Sequence, residues 1–111
     1  MTITEFNDYF LSYPNTWIDF PYGDAMSVYK VGEKGSEDAS MFALVATDTK
    51  PLQVSLRCDP ILAETLREKY ETVVPASNLN RKTWNTIICT GQLSDAEVKD
   101  LANLSYQLAT A

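Results

Sequence analysis

The chain contains no histidine. That removes the side chain that most often serves as a general base near neutral pH. It also excludes every Cys-His and Ser-His nucleophilic pair. There are only two cysteines, Cys58 and Cys89, and they form no CxxC spacing. Without histidine, a zinc site would need two thiolates plus carboxylates, an uncommon ligand set. Both cysteines read as small buried apolar residues; a disulfide between them stays open, because a sequence carries no distance. Glycine is scarce, at four residues, and Gly32 and Gly35 complete neither GxxxxGK[ST] nor GxGxxG. No apolar run approaches the length of about 18 residues needed for a membrane span. The segment Met1-Thr2-Ile3-Thr4-Glu5 has no basic stretch followed by an apolar one, so it does not read as a secretory signal, and the cytoplasm is the expected compartment. The expectation from these absences is a protein with no catalytic residues, no metal, no cofactor and no membrane association. Positive charge is also short. Nine Lys and Arg face fifteen Asp and Glu, for a net charge of -6, which opposes non-specific attraction to phosphate backbones.

What is present fits a folded domain. Of 111 residues, 45% are hydrophobic and 22% charged, values of ordinary globular chains rather than disordered ones. The length suits a single domain over residues 1–111. Ile3, Phe6 and Phe10 recur at helical spacing, and Thr2 with Glu5 makes a capping box, predicting a helix over 4–11. Phe20-Pro21-Tyr22-Gly23-Asp24 reads as a bend within 16–29, with Trp17, Phe20 and Tyr22 covering one side of the core. Three strands follow. Met26–Val31 alternates; Met41–Thr47 is apolar throughout and so central; Leu52–Cys58 points Leu52, Val54, Leu56 and Cys58 one way and Gln53, Ser55 and Arg57 the other. Asp59-Pro60 opens a second helix as cap and first residue, with Leu62, Leu66 and Tyr70 inward and Glu64, Arg67, Glu68 and Lys69 on the wet side.

Val73-Val74-Pro75 is a short edge strand. Trp84–Thr90 is a better one, with Trp84, Thr86 and Ile88 on one face and Asn85, Ile87 and Cys89 on the other. Ser94 and Glu97 cap a third helix whose inward stripe is Val98, Leu101, Ser105 and Leu108, with Leu104 adjacent. The resulting fold class is α+β: two layers, an antiparallel sheet of about five strands, and helices packed on one face, in the order α-β-β-β-α-β-β-α.

One segment stands out against the acidic background. Between Glu71 and Asp95 there is no acidic residue, and this window holds Asn78-Leu79-Asn80-Arg81-Lys82-Thr83-Trp84-Asn85-Thr86. Guanidinium and ammonium groups meet phosphates, amides read base edges and aromatics stack on bases. Arg57, Asn80, Arg81, Lys82, Trp84 and Asn85 are therefore the candidate nucleic-acid contacts, with Asn78 beside them. The competing reading makes Trp84 core and ties Arg57 or Lys82 to carboxylates, where exposed pairs contribute only about 0–1 kcal/mol. DNA is the candidate partner; the alternative is a protein partner or a second copy of the chain, recruited through the acidic surface and exposed strand edges. A third reading, an enzyme or small-ligand protein, requires an enclosed pocket around Trp17, Tyr22 and Trp84.

Several stretches together resemble the YjbR/MmcQ family: Phe20-Pro21-Tyr22-Gly23, Tyr29-Lys30-Val31-Gly32, Met41-Phe42-Ala43-Leu44, Leu56-Arg57-Cys58-Asp59-Pro60, Asn80-Arg81-Lys82-Thr83-Trp84-Asn85-Thr86, and the late Leu93-Ser94-Asp95 helix with Ser105-Tyr106. The resemblance spans nearly the whole chain in the right order. It implies a five-stranded antiparallel sheet with helices packed on it, in small bacterial proteins. It also implies a DNA-binding role with two wing-like hairpins, one of them around Glu33–Asp38. Carried onto this chain, the contacts would be Arg57 and the loop Asn80, Arg81 and Lys82, with Trp84 and Asn85 behind it.

Overall fold

The computed structural model describes residues 1–111. The chain runs α1 (Ile3–Leu11), β1 (Thr16–Asp19), β2 (Met26–Val31), β3 (Ser40–Ala46), β4 (Gln53–Arg57), α2 (Pro60–Lys69), β5 (Val73–Pro75), β6 (Trp84–Ile88) and α3 (Asp95–Thr110). The strands form one sheet in the order β1-β2-β3-β4-β6-β5, antiparallel throughout. The α+β architecture expected from the sequence is present, with one strand more than foreseen. The addition is β1, whose Thr16 pairs with Val31 and Asp19 with Val28. Only four residues separate Asn15 from the bend at Phe20, too few for alternation to register. The bend itself is real and forms the β1–β2 turn, where Gly23 takes a φ of 96° that a side chain would strain.

Capping chemistry starts each helix where the sequence places it. Thr2 Oγ1 accepts from the Glu5 amide at 3.1 Å, and the Glu5 carboxylate accepts from the Thr2 amide at 3.0 Å. Ser94 and Glu97 repeat the reciprocal pair. These backbone amides hold both carboxyls below their ordinary range. Asp59 caps α2 by accepting from the Leu62 amide at 3.0 Å, and Pro60 fills the first helical position.

Strand alternation then sorts the core into two layers. On one face Phe6, Phe10, Tyr29, Val45, Val54, Leu56, Ile87 and Val98 bury together beneath the helices, with α3 lying over β3 and β4. Each large side chain buried there contributes about 1.5–3 kcal/mol relative to exposure. A bulge opens where Tyr29 pairs with Ala43 but Lys30 with Met41, and it turns Phe42 into this layer. There its ring meets Phe10, Tyr13 and Tyr106 edge-on. Ser105 stitches the opened backbone: its hydroxyl donates to the Phe42 carbonyl and accepts from the Arg57 amide at 2.9 Å.

The buried stripe of α3 is Val98, Ala102 and Ser105. Ala102 and Ser105 are small and let the helix sit close to the sheet. Leu104 and Leu108, expected inward or adjacent, are each 40% exposed. On the opposite face of the sheet Val28, Leu44 and Trp84 form a smaller buried cluster with Ala76, and Leu79 packs against it. No helix covers this face. The chain between β5 and β6 does so in part, and that loop positions the candidate site.

Candidate functional site

The β5–β6 loop is held by its own backbone and by one asparagine. The Ala76 amide donates to the Trp84 carbonyl at 3.1 Å, closing the loop across its base. The Asn80 carbonyl accepts from the amides of Thr83 and Trp84, and Asn80 Oδ1 accepts from the Lys82 amide at 3.0 Å. Asn80 thus builds the turn that carries Arg81 and Lys82 outward. Asn78 sits at φ 64°, a left-handed conformation that asparagine tolerates better than most residues. The Cys58 amide donates to the Thr83 carbonyl, so the end of β4 is tied to the same loop.

This arrangement brings cations from separate segments to one end of the sheet. Arg57 is the partner of Trp84 in the β4–β6 register. Arg81 and Lys82 precede Trp84 by two or three residues and are exposed. Arg67, from α2, donates to the Arg81 carbonyl at 3.1 Å. The protein's two ion pairs join Met1 to Asp95 and Lys30 to Asp19, so none of these four cations is held by a carboxylate. The second of those pairs holds the Asp19 carboxyl below its ordinary range, chiefly through the Lys30 hydrogen bond.

Two expected contact residues are built into the fold instead. Trp84 is 7% exposed and packs with Val28, Leu44 and Ala76, so its ring is core and not a stacking platform. Asn85 is 3% exposed. Its amide donates to the Ala63 carbonyl at 3.1 Å, and its oxygen accepts from Arg67 at 2.7 Å. Engaged at both ends and buried, it joins α2 to the sheet and is out of reach of a base edge. Arg67, read from the sequence as a wet-side charge, completes this link. The available signal was its position one helical turn after the buried Ala63, on the same face. Of the expected contacts, Arg57 is half-buried, while Asn80, Arg81 and Lys82 are exposed.

A groove of about 380 Å³ lies on the helix-free face beside this loop. Leu44, Ala46, Gln53, Ser55 and Thr86 come from neighbouring strands. Ser55 and Thr86 share a hydroxyl–hydroxyl bond of 2.8 Å. Tyr22 and Met26 bound the groove from the β1–β2 turn and the start of β2; Ser77, Asn78 and Leu79 bound it from the loop. No ionised side chain lines it. The pocket sought around Trp17, Tyr22 and Trp84 is therefore displaced. Tyr22 borders it, but Trp84 is core, and Trp17 faces the Lys30 ammonium, 5.2 Å from the ring centre. The groove has no sequence signature, because it draws on six chain segments, none with a motif.

Both cysteines are free, Cys58 buried and Cys89 partly so, and burial pushes both thiols above their ordinary range. No group of three or more Cys, Asp and Glu converges on a metal-sized site. No helix is long and apolar enough to cross a membrane.

With this geometry in place, comparison with known proteins identifies the lineage. The family pattern described as YjbR matches residues 11–108. The chain belongs to the YjbR family. It is 34% identical to the YjbR protein of Escherichia coli, covering 98% of this chain and 87% of that one. YbdF of Escherichia coli is 26% identical over 88% of this chain and 75% of its own length. The crystal structure of a Deinococcus radiodurans protein, whose domain is described as DUF419, superposes with a TM-score of 0.91. That relative is 30% identical, over 98% of this chain and 78% of the other. A crystal structure from Pseudomonas syringae, 24% identical over 98% and 99% of the two chains, shares the fold with a TM-score of 0.77. The YjbR membership expected from the six stretches together, the Leu56–Pro60 junction and the Asn80–Thr86 segment among them, is thus established, and the α+β sheet with it.

Proposed function

We propose that this YjbR-family chain is a non-catalytic binding protein whose partner is a nucleic-acid strand, DNA in the first instance, with phosphates held by Arg57, Arg81 and Lys82. The observation that carries the reading is the gathering of cations from β4, α2 and the β5–β6 loop, none of them neutralised by a carboxylate. Asn80 orients the loop. The first hairpin contributes little: its turn holds Glu33, Glu37 and Asp38 against Lys34 and repels phosphate. Contact is therefore local and works against an overall charge of -6.

Fluorescence anisotropy with a labelled oligonucleotide over a salt series tests this. Three phosphate contacts predict a slope of log affinity against log salt of about -2.1 to -2.7. A fourfold rise in salt then weakens binding about 20- to 40-fold. Binding that ignores salt, or no binding at low salt, contradicts the reading.

A second reading has an observation of its own. Ile61 is 77% exposed at the start of α2, and Leu104 and Leu108 line a shallow apolar hollow beside it with Leu62 and Cys58. This is a surface for a protein partner or a second copy. A discrete dimer in sedimentation, dissolved by Ile61→Asp in a chain that binds no oligonucleotide, favours it.

A further inference from the structure

We infer that the groove on the helix-free face receives a single unstacked nucleobase of the bound strand, which makes single-stranded nucleic acid the partner. This rests on the nucleic-acid reading above and adds to it the part of the ligand that is not phosphate. At about 380 Å³ the groove falls at the low end of small-molecule pockets, which run about 300–1,000 Å³. It therefore suits one ring system and not an extended chain.

The lining chemistry narrows the occupant. No charged side chain faces the groove, so a phosphate or carboxylate entering it would lose water and gain no counter-ion. Leu44, Ala46 and Leu79 offer apolar contact to a flat ring. Gln53 and Asn78 each carry both a donor and an acceptor, the pairing that reads the edge of a base. Tyr22, 63% exposed, borders the opening and leaves an aromatic face free for stacking. It takes the role that Trp84, locked in the core, cannot.

Position ties the groove to the cations. Asn78 lines the groove, and Lys82 follows four residues later, which bounds their backbone separation at about 14 Å. One short loop thus presents an amide to a base and charges to the phosphates beside it. A base within a duplex cannot enter without being unpaired, whereas a single strand offers its bases at little cost.

Uncharged probes separate this inference from the reading beneath it. Adenosine and thymidine carry no phosphate and are titrated into labelled protein, followed by amide chemical shifts. Shifts at Ser55, Asn78, Leu79 and Thr86 that saturate at millimolar nucleoside support the inference. Tyr22→Ala, at an exposed position, is expected to weaken that binding about 5- to 150-fold through lost stacking. Asn78→Gly keeps the left-handed backbone while removing the amide, and is expected to weaken it about 2- to 12-fold. In a short oligonucleotide, replacing bases by abasic sites lowers affinity for the wild-type chain and lowers it less for Tyr22→Ala, whose stacking share is already gone.

Nucleosides that move no groove amide, together with abasic strands that bind as tightly as intact ones and retain full salt dependence, overturn the inference and leave the phosphate reading standing. Nucleoside shifts in the groove, together with oligonucleotides that bind no better than nucleosides and ignore salt, support the groove and overturn the phosphate reading.

Discussion

Arg81→Glu combined with Lys82→Glu is expected to weaken oligonucleotide binding about 30-fold at moderate salt while leaving the melting temperature within about 2 °C of wild type. Both parts follow from how the loop is made. The fold uses Arg81 through its carbonyl, which accepts from Arg67, and Lys82 through its amide, which donates to Asn80. Neither charged head has a carboxylate partner. Reversing both charges therefore removes no internal bond, and exposed changes of this kind fall within about 0.5 kcal/mol, or about 2 °C in a chain of this size. Charge-assisted bonds to phosphate are worth about 1.5–3 kcal/mol each, and exposure to salt reduces this. A loss of about 2 kcal/mol for the pair corresponds to about 30-fold. The salt slope should also shrink by about 1.4 to 1.8, the share of two phosphates. Unchanged affinity would remove the loop from the interface; a large drop in melting temperature would show that its side chains support the fold.

Asn85→Ala is expected to act in the opposite way, lowering stability by about 2–4 kcal/mol and the melting temperature by about 8–16 °C. Asn85 is held at both ends, by the Ala63 carbonyl and the Arg67 guanidinium, and it is nearly inaccessible. Its loss frees a charged donor and leaves a cavity between α2 and β6. Arg67 then loses the partner that positions it against the Arg81 carbonyl, so binding weakens as well, but only through the loosened loop. Thermal denaturation beside anisotropy separates the two roles. If Asn85 read a base directly, as its sequence position suggests, affinity would fall while the melting temperature stayed put. That result would refute the placement of Asn85 inside the fold.

The contrast between these two variants shows where the sequence was informative. Alternation has a period of two, so the faces of β2, β4 and β6 could be read directly. Arg57 is set opposite Leu56, and Trp84 and Thr86 opposite Asn85 and Ile87, as expected. Caps at Thr2, Asp59 and Ser94 fixed the helix starts by short-range chemistry. What could not be read was burial imposed by irregular chain. Trp84 is core, in line with the competing reading above, but what covers it is not legible: it lies on the helix-free face, and Ala76 and Leu79 close over it from a loop without periodicity. The same loop walls the groove, whose other residues come from the β1–β2 turn and four strands. Arg67 and Asn85 are 18 residues apart and meet only because α2 packs on the end of the sheet. The cationic window could be read because it was a local departure in composition; that its charges stand without carboxylate partners could only be seen in the folded chain.

The most direct test of the shared cationic end as a strand-binding surface is an amide chemical-shift map of the chain during titration with a short single-stranded DNA at low salt. Shifts concentrated at Arg57, through residues 77–83 and at Tyr22, and reversed by added salt, are the expected result. An unchanged spectrum, or shifts gathered around Ile61, Leu104 and Leu108 with the loop silent, would contradict it.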